Sequence, residues 1–233
     1  MLRKWEELPA FMRTPEVRPY WESLNRKRGQ LFVKRIFDLT AGLLLSVILA
    51  VPMAVISVLI KKDSEGPVFY RQERVTTYGR HFRIHKFRTM VADADKIGTS
   101  VTVGNDSRIT KVGAKLRGHR LDELPQVLDV IAGNMSFVGT RPEAVKYVEK
   151  YKPEYYTTLL MPAGITSNAS IRYKDEDRLL NAADDVDSVY LSQVLPAKMK
   201  WNLEDIASFS LFRDISTCIN TLGVFFSSKE REG

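Results

Sequence analysis

A chain of 233 residues with 44% hydrophobic and 27% charged residues has the composition of a folding protein and excludes a disordered or low-complexity one. Its net charge of +7 favours anionic partners, whether nucleic acid, acidic lipid headgroups or phosphorylated small molecules. The single cysteine, Cys218, excludes an internal disulfide and a thiolate metal cluster; set in an apolar run, it reads as a packing residue in a reducing environment.

The first 31 residues form an arm in which Trp5, Phe11, Tyr20 and Trp21 alternate with basic residues and prolines. That mixture suits either the headgroup layer of a membrane or a flexible terminus. Leu39 to Ile60 then runs for about 22 residues without a charge, about 33 Å as a helix and enough to cross a bilayer. Both flanks are basic, with Arg26, Lys27, Arg28, Lys34 and Arg35 before the run and Lys61 and Lys62 after it. Lysine and arginine prefer the cytoplasmic side, so both ends want the same face. Pro52 breaks the helical hydrogen bonding mid-run. Residues 32–62 therefore predict a re-entrant helical hairpin surrounded by membrane lipids. A spanning helix that tolerates its proline and a buried core helix are the alternatives.

From Val68 to Met90 short apolar and basic runs alternate, predicting strands joined at Tyr78-Gly79. In this register Phe82 and Ile84 face one way and Arg83 and His85 the other, which puts Lys86 on the apolar side, where it needs an anionic partner. Arg71, Arg74, Arg83, Lys86 and Arg88 make a cluster suited to a diphosphate or a lipid phosphate. A solvated basic face is the alternative; no nucleic-acid motif accompanies the charge.

Leu121, Leu124, Leu128 and Ile131 recur at helical spacing, Pro125 suits a first turn, and Gly133-Asn134 is a stop signal. A helix is thus expected to begin close to Asp122 and Glu123, where its dipole keeps both carboxylates ionised. An ionised carboxylate can attack the phosphorus of a nucleotide sugar, provided a metal or cations such as Arg117 and Arg120 offset the repulsion. The competing role for Asp122 is a helix N-cap. Thr140-Arg141-Pro142-Glu143 has capping-box spacing, and free N–H groups there with Arg141 would bind phosphate.

These segments resemble the bacterial sugar transferases, the monotopic polyprenol-phosphate phosphoglycosyl transferases. The matching text is KRIFDLTAGLLL, GPVFYRQERV, FRIHKFRTM, DSRITKVGAKLR, LDELPQVLDVIAGNMSFVGTRPE and GIT. The resemblance implies a helix-rich α/β protein: a re-entrant membrane helix broken at Pro52, and a small mixed α/β catalytic domain, residues 63–233, at the cytoplasmic face of the bacterial inner membrane. It also implies Mg²⁺ held by Asp122 and Glu123. By position Asp122 would be the covalent nucleophile, with Glu123 binding metal or handling the acceptor's proton. Arg117, Arg141, Lys86 and Arg88 would face phosphate groups. The implied reaction moves a sugar 1-phosphate from a UDP-sugar to polyprenyl phosphate and releases UMP, with no nucleic acid as partner and with self-association compatible. Direct glycosyl transfer releasing UDP and a non-catalytic membrane-bound binding protein are the alternatives. The chain departs from the family pattern at Thr140, where proline is usual, and at Ser167-Asn168-Ala169-Ser170 after GIT.

Further on, YVEKYKPEYY reads as a helix end and a surface loop, either edging the acceptor site or simply a tyrosine-rich surface. Leu180, Val186, Val189, Tyr190 and Val194 keep helical spacing beside Asp184, Asp185 and Asp187, an acidic helix face or a metal site. The last segment, from Ile206 to Phe226, carries apolar residues at helical spacing that suit either the bilayer or the core.

Overall fold

A computed structural model describes residues 2–94, 106–173, 179, 180, 183 and 185–229. The arm does not hang free. Its helix α1 (Arg18–Asn25) and two short 3-10 turns bury Leu2, Leu8, Met12, Val17 and Leu24 against Leu159, Leu160, Ile206 and Phe209. Its aromatic residues pack on one another: Trp5 meets Trp21 edge to face at 5.7 Å, with Arg18 stacked over both.

The apolar run lies in α2 (Arg28–Asp63), one continuous helix with Pro52 inside it. Pro52 does not split it into two helices joined by a turn; losing one hydrogen bond in 36 residues leaves the helix continuous. Both ends of α2 are built into the rest of the protein. Near its start Lys34 and Asp38 are buried, Lys34 donating to Val138 O at 3.0 Å and Asp38 accepting from the Ser136 hydroxyl at 3.0 Å. Arg35 donates to the carbonyls of Val130 and Ile131. Near its end Ile56 and Ile60 pack with Phe87 and Leu116. Between them the residues from Leu43 to Val55 stay wholly or partly exposed, among them Leu44, Val47, Ile48 and Val51.

The expected strands form as a hairpin, β1 (Phe69–Thr76) and β2 (Arg80–Phe87), antiparallel with Phe69 opposite Phe87 and Thr76 opposite Arg80. The connection is the predicted one: Tyr78 and Gly79 both take positive φ. Then follow α3 (Lys111–Gly118), a 3-10 turn (Leu121–Glu123), α4 (Gln126–Ile131) and β3 (Met135–Val138). Gly133, at φ +78, ends α4 as its sequence predicts. A short α5 (Val145–Val148) and a 3-10 helix (Pro153–Leu160) lead to β4 (Ala163–Thr166), parallel to β3 with Met135 opposite Ala163. The two strands cross closely enough that a Cβ on Gly164 would lie 2.2 Å from Gly139 N.

The C-terminal part comprises α6 (Asn168–Arg172), then α7 (Val186–Val189), a π-helical turn (Tyr190–Val194) and α8 (Leu195–Ala207) in succession, and α9 (Leu211–Lys229). Here the expected tyrosine-rich surface is overturned. Tyr147, Tyr151 and Tyr155 are buried with Leu180, Tyr190, Val194 and Met199, because helices α7 and α8 cover them. The protein is helix-rich with two small two-stranded sheets, the mixed α/β class that the sequence implies.

Candidate active site

Strand alternation sorts the basic cluster. Arg74 and Lys86 share the face of Phe82 and Ile84, whereas Arg71 points to the other side and donates to Arg83 O at 2.9 Å. Lys86 finds the anionic partner its position demands: its Nζ lies 3.0 Å from Glu123 Oε1. Arg141, just after β3, reaches the same carboxylate, with Nη2 2.5 Å from Oε1 and Nη1 3.4 Å from Oε2. Three chain segments far apart in sequence thus converge on Glu123.

The dyad sits on the 3-10 turn, not inside a helix. Arg120 takes the left-handed conformation at φ 51, which turns the chain sharply after α3, and Pro125 occupies the N-cap position of α4. Asp122 is therefore no N-cap. A six-residue α4 beginning beyond Pro125 also offers the dyad little dipole, so the charge state follows from neighbours. Burial opposes ionisation of Glu123, yet Arg141 and Lys86 outweigh it and hold the carboxyl well below its usual range. Burial and the Glu123 charge push Asp122 the other way, above its usual value, against the pull of Lys86 and Arg117. Lys86 itself is lowered, because burial and Arg141 together exceed the help of Glu123 and Asp122. The two acids are thus a split pair: Glu123 is locked between two cations, and among the described residues no side chain hydrogen-bonds to Asp122.

The remaining candidates divide. Arg117 stands at the end of α3, close enough to Asp122 to favour its charged form. Arg74 is packed in beside Arg141 and Glu143, and burial lowers its pKa. Arg88 is not at the dyad. It is 6% exposed and clasps the end of α2, donating to Ser64 O at 2.7 Å, to Ser64 Oγ at 3.1 Å and to Glu65 O. The alternation ends at Phe87, so the next side chain need not follow Lys86. Pro52 lies mid-α2, exposed. The capping box expected at Thr140–Glu143 does not form, because residues 140–144 belong to no helix and α5 begins only at Val145. Glu143 is drawn away: its Oε1 accepts from Tyr190 OH at 2.7 Å.

Composition and spacing gave no hint of one contact beside the site. Asp129, fully buried on α4, accepts from both His85 N and His85 Nδ1 at 2.8 Å and so ties the dyad segment to β2. The signal was an acid alone in the apolar stretch VLDVI. The departure after GIT has a structural role: Ser167 caps α6, and Asn168 donates to Asp205 Oδ1 at 2.8 Å. Of the acidic run, Asp185 caps α7 and Asp187 takes Lys146 and Tyr147 OH, while Asp184 lies outside the described residues.

Among the described residues no three His, Cys, Asp or Glu side chains converge as a metal cage. Asp122 and Glu123 offer the hard carboxylate oxygens that Mg²⁺ takes when water and substrate phosphates complete its shell.

The family model described as bacterial sugar transferase matches residues 29–228. An exopolysaccharide production protein of Rhizobium leguminosarum is 40% identical over 149 residues, 61% of this chain and 74% of that protein. A UDP-N-acetylgalactosamine-undecaprenyl-phosphate N-acetylgalactosaminephosphotransferase of Aeromonas hydrophila is 32% identical over 82% of this chain and 43% of its own. A UDP-glucose:undecaprenyl-phosphate glucose-1-phosphate transferase of Escherichia coli is 33% identical over 84% of this chain, which spans only 41% of it. With the match running from the foot of α2 through the dyad and into α9, the chain belongs to the bacterial sugar transferase family.

Proposed function

We propose that this chain transfers a sugar 1-phosphate from a UDP-sugar to undecaprenyl phosphate, releasing UMP, as an initiating step of surface glycan synthesis. The observation that carries the reading is the unequal pair: Glu123 is committed to Lys86 and Arg141, which leaves Asp122 as the carboxylate able to react. An Asp122 oxygen forms a bond to the phosphorus that bears the sugar, and the bond to the UMP oxygen breaks, UMP leaving with the electron pair. An oxygen of the acceptor phosphate then attacks that phosphorus and displaces Asp122. Arg117 and Arg141 stand where they can bind phosphate oxygens, and Lys86 orients Glu123. Mg²⁺, held by Asp122 and Glu123, would supply charge neutralisation at the phosphates.

The reaction is placed at the inner face of the bacterial membrane, with α2 entering and leaving by one side. Support comes from its length between anchors. Only 13 residues separate the buried Gly42 and Ile56, about 20 Å of helix against a hydrocarbon core of about 30 Å. At one end Lys34 and Arg35 bind the folded part, and at the other Ile56 and Ile60 pack on it just before Lys61 and Lys62.

The test is to incubate the purified chain with UDP-sugars and undecaprenyl phosphate and to identify the nucleotide released. UMP is expected, together with a phosphosugar adduct on Asp122 when the acceptor is left out. UDP without UMP, or full turnover by Asp122→Asn, overturns the proposal.

A further inference from the structure

The contact between Asp129 and His85 puts a carboxylate where packing alone asks for none. Asp129 is fully buried in the apolar run of α4, between Val127 and Val130, which are buried with it. Taking a carboxylate out of water is costly and only close, well-aimed partners offset it, whereas an apolar side chain would cover the same core without that penalty. What the acid adds is geometry. Its two oxygens divide between two atoms of one residue: Oδ2 accepts from the His85 main-chain N–H and Oδ1 from Nδ1, each at 2.8 Å. Phe69 of β1 meets the imidazole edge to face at 6.3 Å. Main chain and ring of His85 are thus held together.

His85 stands where β2 most needs an external hold. It pairs with Arg71 near the open mouth of the hairpin, at the end remote from the Tyr78-Gly79 turn, and a two-stranded ribbon has little stability of its own. The next residue is Lys86, whose Nζ has to stay 3.0 Å from Glu123 Oε1 at the tip of a long, flexible stem. Asp129 lies on the helix that follows the dyad turn. One carboxylate therefore clamps the strand that carries the cation to the segment that carries the dyad. We propose that Asp129 and His85 are positioning residues for the transfer: they fix the β2 main chain beside Lys86, so that its ammonium stays on Glu123 and Asp122 stays free to react. This rests on the reading of Asp122 as the nucleophile.

The test compares Asp129→Ala with Asp129→Asn in the full chain, in detergent, with UDP-sugar and no acceptor. UMP then appears as a single burst, whose amplitude counts the competent chains and whose rate constant reports the geometry of the dyad. Asp129→Ala strips both His85 nitrogens of their partner and should lower the rate constant on the order of 100-fold, the penalty for a displacement of about 1 Å at a reacting centre. Asp129→Asn keeps the shape, accepts from the main-chain N–H, donates to Nδ1 of a neutral ring and should restore most of the rate. A smaller burst and a lower melting temperature for Asp129→Ala at the parental rate constant would show a packing role alone and overturn the proposal. So would an Asp129→Asn as slow as Asp129→Ala. A second measurement needs no turnover: in denaturant titrations Asp129→Ala combined with Glu123→Gln should lose less than the sum of the two alone, because each loosens the same Lys86–Glu123 contact. Additive losses refute the coupling. Should Asp129→Ala not fold, Asp129→Ser, too short to reach both His85 nitrogens, takes its place in both arms. If the parent gives no burst with any UDP-sugar, the Asp122 reading fails and the positioning role falls with it; a parental rate in the Asp129 variant refutes the positioning role alone.

Discussion

Glu123→Gln isolates the electrostatic lock on the dyad. The substitution keeps the shape of the side chain but withdraws the charge that faces Lys86 at 3.0 Å and Arg141 at 2.5 Å. The side chains are 13%, 19% and 31% exposed, so the loss belongs at the lower end of the range for breaking a buried pair, about 3 kcal/mol at neutral pH. For a chain of this size that is a fall in melting temperature of about 6–12 °C. The pH dependence fixes the sign. Because the folded Glu123 carboxyl titrates below its ordinary value of 4.5, its contribution is fully present above that pH and is lost as the pH falls through the folded value. Melts of both proteins in detergent, followed by circular dichroism from pH 7 downward, should therefore show a gap that is constant near neutrality and narrows below pH 4.5. A variant melting within a degree of the parent at pH 7, or a gap that does not change with pH, would show that Glu123 is not held by its two cations.

Asp122 responds in the opposite sense: its folded pKa is raised by burial and by Glu123, so single-turnover transfer should fall off on the acid side above the ordinary 3.8. In a UMP-release profile, Glu123→Gln moves that limb to lower pH in whatever activity remains. Asp122→Asn removes a charge that its surroundings disfavour, so it melts higher than the parent at neutral pH while adduct formation stops. Arg88→Ala, which frees Ser64 and Glu65 at the end of α2, lowers stability by about 3 kcal/mol in a denaturant titration. A rise in KM for the UDP-sugar without that loss would return Arg88 to the phosphates. Gly164→Ala forces a Cβ to 2.2 Å from the Gly139 backbone, so the protein should be recovered insoluble or unfolded by size exclusion.

Local patterns carried much of this architecture and long-range competition supplied the rest. Strand alternation announced the hairpin and even the need of Lys86 for an acid, because one polar residue on an apolar face is a local fact. Gly133 announced the end of α4 for the same kind of reason. The capping box at Thr140 failed because Tyr190, 47 residues away, competes for Glu143. The dyad lies on a turn because Arg120 adopts a left-handed conformation that arginine rarely takes and that no motif advertises. Tyr151 and Tyr155 read as surface beside lysines and a proline, until helices that follow them in the chain are laid over them. Asp129 and His85 are 44 residues apart, and nothing in either neighbourhood names the other.

The three polar grips that α2 keeps on β3, α4 and α9 through Lys34, Arg35 and Asp38 bear on how such a protein can be handled. Trimming the apolar helix to obtain a water-soluble fragment would strand Asp214 on α9, and Ser136 and the carbonyls at the end of α4 in the α4–β3 segment that follows the dyad, without donors or acceptors. The anchor is a structural wall of the enzyme, and solubilisation has to bring a substitute for lipid to the protein instead of cutting the protein away from lipid.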